Sequence, residues 1–187
     1  MLRVALTGGI ATGKTSLLEF FQSHSVSTID ADAIVEQLYS KPKVGEKILK
    51  LFHSLNRKEI AHQVFSSPKL KKELEYILHP LVLSEIQKKL LEFEKKGKTM
   101  VVVELPLLFE AGLEQLFDKV IVVTCSKKKQ IKRLVELGLS EKQALARIES
   151  QLPLNAKVKK ADFVIDNNES LASALKQAEK ILSELRA

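Results

Sequence analysis

Residues 5–20 read ALTGGIATGKTSLLEF, and Gly8-Gly9-Ile10-Ala11-Thr12-Gly13-Lys14-Thr15 within them satisfies G-x-x-x-x-G-K-[ST] at every fixed position. Such a loop works because consecutive backbone N–H groups and a helix N-terminus converge on phosphate oxygens. Gly8 and Gly13 allow backbone angles that a side chain forbids, and Gly9 lowers the crowding further. Ile10, Ala11 and Thr12 supply the loop between them. Lys14 is expected on the β- and γ-phosphates, the Thr15 hydroxyl on Mg²⁺, and Ser16 near the α-phosphate. An apolar strand over residues 2–7 precedes the motif and a helix from about Lys14 to Ser23 follows it, as a phosphate-binding loop requires. The pattern therefore predicts nucleoside triphosphate binding and is silent on the reaction.

Working outward, a short strand over Val26 to Ile29 ends at Asp30-Ala31-Asp32. Three or four helical stretches follow, with apolar spacing at Val44, Ile48, Leu51, Phe52 and at Leu70, Leu74, Ile77, Leu78. The β-branched runs Thr99–Leu105 and Lys119–Thr124 read as buried parallel strands. A basic helical stretch, the strand DFVID (Asp162–Asp166) and an amphipathic helix from about Ser170 to Leu185 complete the chain. Five strands interleaved with helices predict an α/β fold, a five-stranded parallel sheet flanked by helices. The block after strand two is far too long for a crossover connection. It is expected to be an inserted helical subdomain. The expected organisation is one kinase-like domain, residues 1–187. Residues 1–40, 99–126 and 161–187 form the nucleotide-binding core, 41–98 a helical acceptor-binding insertion, and 127–160 a lid.

Charge follows the same division. The whole 187-residue chain carries +7. Residues 41–98 hold 14 Lys and Arg against 7 Asp and Glu, and residues 127–160 hold 10 against 3, so each block is +7 while the framework is net acidic. Two positive walls suit polyanionic substrates, beside the plainer reading as solvated helix faces. Aromatics make up 5% with no Trp, which disfavours a base-stacking nucleic-acid platform. The single cysteine, Cys125, permits no internal disulfide and, at a strand end, reads as a buried inert thiol. No apolar run approaches the roughly 18 residues of a membrane span, and the stretch before the glycines is too short for a signal peptide. A cytoplasmic monomer with no nucleic-acid or membrane partner is the expectation.

Reaction type is narrowed by what is missing. The nearest string to a guanine-reading N-K-x-D is Asn155-Ala156-Lys157-Val158, which fails at its second and fourth positions. Glu104 closes an apolar strand as a hydrolytic acid would, but Leu105-Pro106 follows and no switch segment is evident. A small kinase remains, with one flap for the acceptor and one to exclude water.

The strings ALTGGIATGKTS, TIDADAIV, YILHPLV, VVVELPLLFEAGL, KVIVV, QIKRLVE, EKQALARIESQ and KKADFVIDNN resemble, in order and spacing, the dephospho-CoA kinase family. The resemblance covers nearly the whole chain. It implies ATP-dependent phosphorylation of the ribose 3′-hydroxyl of dephospho-coenzyme A, the last step of coenzyme A biosynthesis. It also implies a P-loop fold like that of the nucleoside monophosphate kinases, with a CoA-binding helical domain and a lid. A ribose hydroxyl is a weak nucleophile and needs a base. The resemblance places that base at Asp32, which as a bare residue reads equally as the N-cap of the next helix. Asp30 is expected to make a structural hydrogen bond rather than to hold Mg²⁺ through water.

Pro106 ends its strand, and Leu107 and Leu108 line the acceptor pocket or pack beneath it. By resemblance, His79 touches the acceptor, against the alternative of a helix-breaking His-Pro corner. Arg57 matches an Asp-Arg motif in which Asn56 replaces the Asp, and it is a candidate for the acceptor's diphosphate. Arg133 and Arg147 are candidate phosphate clamps in the lid, and Asn167 matches a position near the adenine. Each of these has a surface or structural alternative. His24, His53 and His62 lack metal-ligand spacing and are expected at the surface. The family's R-L-x-x-R-D-x-L-S lid string is shortened here to Arg133-Leu134-Val135-Glu136-Leu137-Gly138-Leu139-Ser140, which loses one residue and the second arginine. Two rival readings stand beside this one: another small-molecule or nucleoside monophosphate kinase, and a P-loop ATPase that binds a polyanion.

Overall fold

A computed structural model describes residues 1–187, the side chains of Lys58 and Phe65 excepted. The strands are β1 (Leu2–Gly8), β2 (Ser27–Asp30), β3 (Met100–Glu104), β4 (Lys119–Thr124) and β5 (Phe163–Asp166). They form one five-stranded parallel sheet in the order β2-β3-β1-β4-β5. Register sets Val4 beside Val102, Leu6 beside Ile121, and Val123 beside Ile165. The central strands are covered on both faces, so Val4 to Leu6, Val101 to Val103 and Ile121 to Val123 are all fully buried. That double burial explains why these strands read as unbroken apolar runs without alternation.

Helix α1 (Lys14–Ser23) and the C-terminal helix, α9 (Leu171–Arg186), cover the sheet with one shared core. Leu17, Leu18 and Phe21 of α1 belong to it with Ala174, Ala178, Ile181 and Leu182 of α9. The α9 stripe follows the four-, three- and one-residue steps of an amphipathic helix, and Ser170 caps it by accepting from the Ser173 N–H. Helices α6 (Lys127–Glu136), α7 (Glu141–Glu149) and α8 (Leu154–Val158) lie between β4 and β5. Ser140 and Gln143 close a reciprocal capping box on α7.

The chain divides into two compact units, Met1–Ile29 with Phe93–Ala187, and Asp30–Glu92. The basic stretch 127–160 therefore belongs to the first unit. The second is helical, comprising α2 (Ala31–Tyr39), α3 (Pro42–Phe52), α4 (Arg57–Ser66) and most of α5 (Pro68–Lys95). The structure does not form the alternative His-Pro corner, because α5 runs through Pro80 for 28 residues. Pro80 lacks the N–H that would bond the Tyr76 carbonyl. Tyr76, His79 and Pro80 all lie on the exposed flank, where a carbonyl without an intrahelical partner costs little because it is open to solvent. No helix among the described residues is long and apolar enough to cross a membrane.

Candidate nucleotide site

The glycine motif forms the loop from the end of β1 into α1. Gly13 is the α1 N-cap with φ +101°, and Gly8 has φ +150°, both in the region that glycine tolerates. A Cβ at Gly9 would come within 2.6 Å of the Gln130 amide nitrogen, so that residue answers to close approach. No side chain caps α1 and no acidic residue occupies its first turn. The positive end of the helix is thus left for an external anion. Lys14 is only 7% exposed, and its Nζ donates to the Gly9 carbonyl at 3.0 Å. Thr12 Oγ1 donates to the same carbonyl at 2.9 Å. Thr15 is exposed at the start of the helix and Ser16 is half-buried beside it.

Side chains from later in the chain hold this loop from outside. Gln130 Nε2 donates to the Ile10 carbonyl at 2.6 Å, and Gln151 Oε1 accepts from the Ile10 N–H at 2.8 Å. Arg133 Nη1 donates to the Ala11 carbonyl at 2.9 Å, and Asn167 Nδ2 to the Thr12 carbonyl at 2.8 Å. Gln130 and Arg133 share one face of α6, whose N-cap is Ser126. Asn167 sits directly after β5, tied to β4 by its N–H on the Thr124 carbonyl at 2.8 Å. Lys129 Nζ steadies the same turn through the Glu169 carbonyl at 2.8 Å. Arg133, expected as a lid phosphate clamp, and Asn167, expected near the adenine, thus both bond the loop backbone. Arg147 lies half-buried in the last turn of α7. Cys125 is buried at the end of β4, and burial pushes its thiol up, against the lowering influence of the nearby Arg133.

The segment after β3 is pinned by a buried lysine. Lys157, with no exposed surface, pairs with Glu110 Oε1 at 2.8 Å and donates to the Pro106 carbonyl at 3.0 Å. Thr7 Oγ1 also donates to that carbonyl, at 3.4 Å, and Glu110 Oε1 accepts from the Leu152 N–H at 2.9 Å. Pro106 and Leu107 are half-buried, whereas Leu108 is wholly inside the core. A cavity of about 490 Å³ flanks the loop, lined by Gly9, Gln130, Ile148, Gln151 and Leu154 among others.

In the helical unit, Asp30 rather than Asp32 is the N-cap of α2. Its Oδ1 accepts from the Asp32 and Ala33 N–H groups at 2.8 and 3.1 Å. This corrects the alternative in which Asp32 capped the helix: Asp32 is in the first turn, exposed, and its carboxylate is not the cap. Arg57 opens α4, pairs with Glu36 at 3.6 Å and lies over the Tyr39 ring at 5.5 Å. Burial raises the Tyr39 phenol above its usual value, and the Arg57 charge partly opposes that. His79 is exposed on α5, and His24, His53 and His62 are exposed as expected. Among the described residues no group of three or more His, Cys, Asp or Glu is disposed to hold a metal ion.

Gln130, Gln151, Glu110 and Lys157 belong to the site's framework without standing out in the sequence. Gln130 stands among lysines and Lys157 in another lysine-rich run, so composition marks both stretches as solvated. The available signal for Gln130 is its three-residue spacing from Arg133, which puts the two on one helix face.

The family model described as dephospho-CoA kinase matches residues 2–173. A dephospho-CoA kinase of Arabidopsis thaliana is 36% identical over 193 residues, spanning 98% of this chain and 83% of its own length. One from Listeria monocytogenes is 36% identical over 184 residues, spanning 93% of this chain and 92% of its own. The solved structure of a dephospho-CoA kinase from Campylobacter jejuni superposes with a TM-score of 0.71 at 31% identity, covering 98% of this chain and 96% of that one.

Proposed function

Because the chain belongs to the dephospho-CoA kinase family, we propose that its loop residues 8–16 hold ATP and that Asp32 activates the acceptor. The chain is a phosphotransferase, transferring the ATP γ-phosphoryl group to the ribose 3′-hydroxyl of dephospho-coenzyme A to give coenzyme A and ADP. The single observation that carries the nucleotide assignment is the loop itself. It opens an uncapped helix N-terminus, has a nearly buried Lys14 folded over it, and has its carbonyls engaged from outside.

Phosphoryl transfer needs positioning and charge stabilisation more than covalent chemistry. In this proposal Lys14 and the α1 N-terminus bind the β- and γ-phosphates, and Ser16 the α-phosphate. The exposed Thr15 hydroxyl suits Mg²⁺, which keeps most of its water and needs few protein ligands beside the phosphates. When bound, the ion neutralises developing charge on the phosphate oxygens. Asp32 accepts the proton of the attacking hydroxyl. Its support is its place in the first turn of α2, two residues after β2 ends in the Ile29-Asp30-Ala31-Asp32 string, where capping falls to Asp30 instead. Arg133 and Arg147 add positive charge on the lid side, and Asn167 bounds the nucleotide through the loop it holds.

Residues 41–98 are proposed to hold the acceptor, with Arg57 toward its diphosphate and His79 as a further contact. An open groove there, with Lys47, Lys50 and Lys72 around Leu51 and Tyr76, offers counter-charge beside an apolar floor. Pro106 and Leu107 border the acceptor, and Leu108 supports them from the core. The proposed working form is a monomer in the cytoplasm. A coupled assay of ADP release tests the reading. Stimulation by dephospho-coenzyme A, and none by AMP, CMP or DNA, is expected; equal stimulation by AMP would favour a nucleoside monophosphate kinase.

A further inference from the structure

Ala11 lies in the middle of the phosphate loop with φ +57°, a left-handed conformation that its Cβ disfavours. Alanine has no polar side chain to support that backbone, so the support comes from elsewhere. The Ile10 residue is held on both sides of its Cα, by Gln151 on its N–H and Gln130 on its carbonyl. The next two carbonyls, of Ala11 and Thr12, are taken by Arg133 and Asn167. Three consecutive carbonyls are therefore drawn outward by side chains from α6 and the turn after β5. Gln130 is 2% exposed, and a buried amide is costly unless it is bonded. Its Nε2 bond to the loop is the shortest of the four.

We infer that Gln130, with Arg133 and Asn167, is a positioning clamp that keeps Ala11 left-handed and so holds the loop in its phosphate-binding shape before nucleotide arrives. The inference rests on the ATP reading above and adds the residues that pre-organise the site. Without the clamp the strained residue relaxes, the loop carbonyls turn, and ATP must drive the reordering from its own binding energy. A purely structural glutamine would alter melting but would not interact with the conformational preference of Ala11. A clamp on strain must do so, because the Ala11→Gly change removes the strain it resists.

Titration calorimetry with ATP and Mg²⁺ on four full-length proteins tests this: wild type, Gln130→Met, Ala11→Gly and the double variant. Gln130→Met, similar in length but without the donor, is expected to weaken ATP roughly tenfold when Ala11 is retained. In the Ala11→Gly background the same change is expected to weaken it about threefold or less, the non-additivity that coupled residues show. Should Gln130→Met fail to fold, Arg133→Lys in the same two backgrounds makes the same comparison at the next carbonyl. No ATP binding by the wild type overturns the nucleotide reading and the clamp with it. Tight wild-type binding that Gln130→Met leaves unchanged overturns the clamp alone. Equal weakening in both backgrounds refutes the holding of strain.

Discussion

Replacing Lys157 with Met removes one half of a buried ion pair while keeping most of the side chain's volume. The ammonium has no exposed surface, pairs with Glu110 at 2.8 Å and donates to the Pro106 carbonyl at 3.0 Å. Breaking a buried pair by deleting one partner typically costs about 3–5 kcal/mol, because the remaining charge is left uncompensated. Glu110 retains the Leu152 N–H, and its side chain is 22% exposed, so water relieves part of that cost. The expected loss is therefore about 2–3 kcal/mol, somewhat below that range. For a chain of this length that lowers Tm by roughly 5–10 °C. Urea denaturation of wild type, Lys157→Met, Glu110→Gln and the double variant measures the coupling. Glu110→Gln keeps an acceptor for Leu152, and the double variant is expected to be more stable than the sum of the single losses implies, by about 1 kcal/mol or more. Lys157→Met within about 0.5 kcal/mol of wild type, the usual range for a surface change, would refute the argument. Strictly additive losses would refute it too.

Other expectations concern chemistry at single residues. Lys14→Met should lower turnover by orders of magnitude while the protein stays folded by circular dichroism, since it removes the charge beside the phosphates. Asp32→Asn should leave Tm nearly unchanged, because Asp30 is the cap, but lower kcat by about 10²- to 10⁴-fold, the range for loss of a general base. Conversely, Asp30→Ala should cost about 1 kcal/mol in denaturant titration through loss of the cap. Cys125, whose thiol burial raises above the ordinary range, should be protonated and unreactive toward maleimide at neutral pH in the folded chain, and become reactive on unfolding.

Much of this architecture is legible because two patterns carry their own physics. The loop motif allows one phosphate-binding geometry between a strand and a helix. Unbroken β-branched runs such as Val101 to Val103 mark strands buried on both faces. The α1 and β4 limits, Lys14–Ser23 and Lys119–Thr124, agree with the sequence reading, and β2 is shifted by one residue to Ser27–Asp30. Harder features depend on tertiary context. Whether Asp30 or Asp32 caps α2 turns on where the helix begins to within a residue, which sequence patterns do not resolve. Pro80 reads as a breaker because sequence alone does not say that its missing N–H falls on a solvated flank. Gln130 and Lys157 sit in lysine-rich surroundings, and only the folded chain turns them inward onto the Ile10 and Pro106 carbonyls. The polar groups that hold a loop are illegible locally, because their partners lie 120 and 51 residues away.

The central claim, phosphoryl transfer to the acceptor ribose, is tested most directly by phosphorus NMR of the products formed from ATP and dephospho-coenzyme A. The account predicts a new phosphomonoester resonance on the ribose 3′-oxygen, growing in step with ADP and abolished in Lys14→Met. Inorganic phosphate formed instead, with dephospho-coenzyme A unchanged, would contradict it.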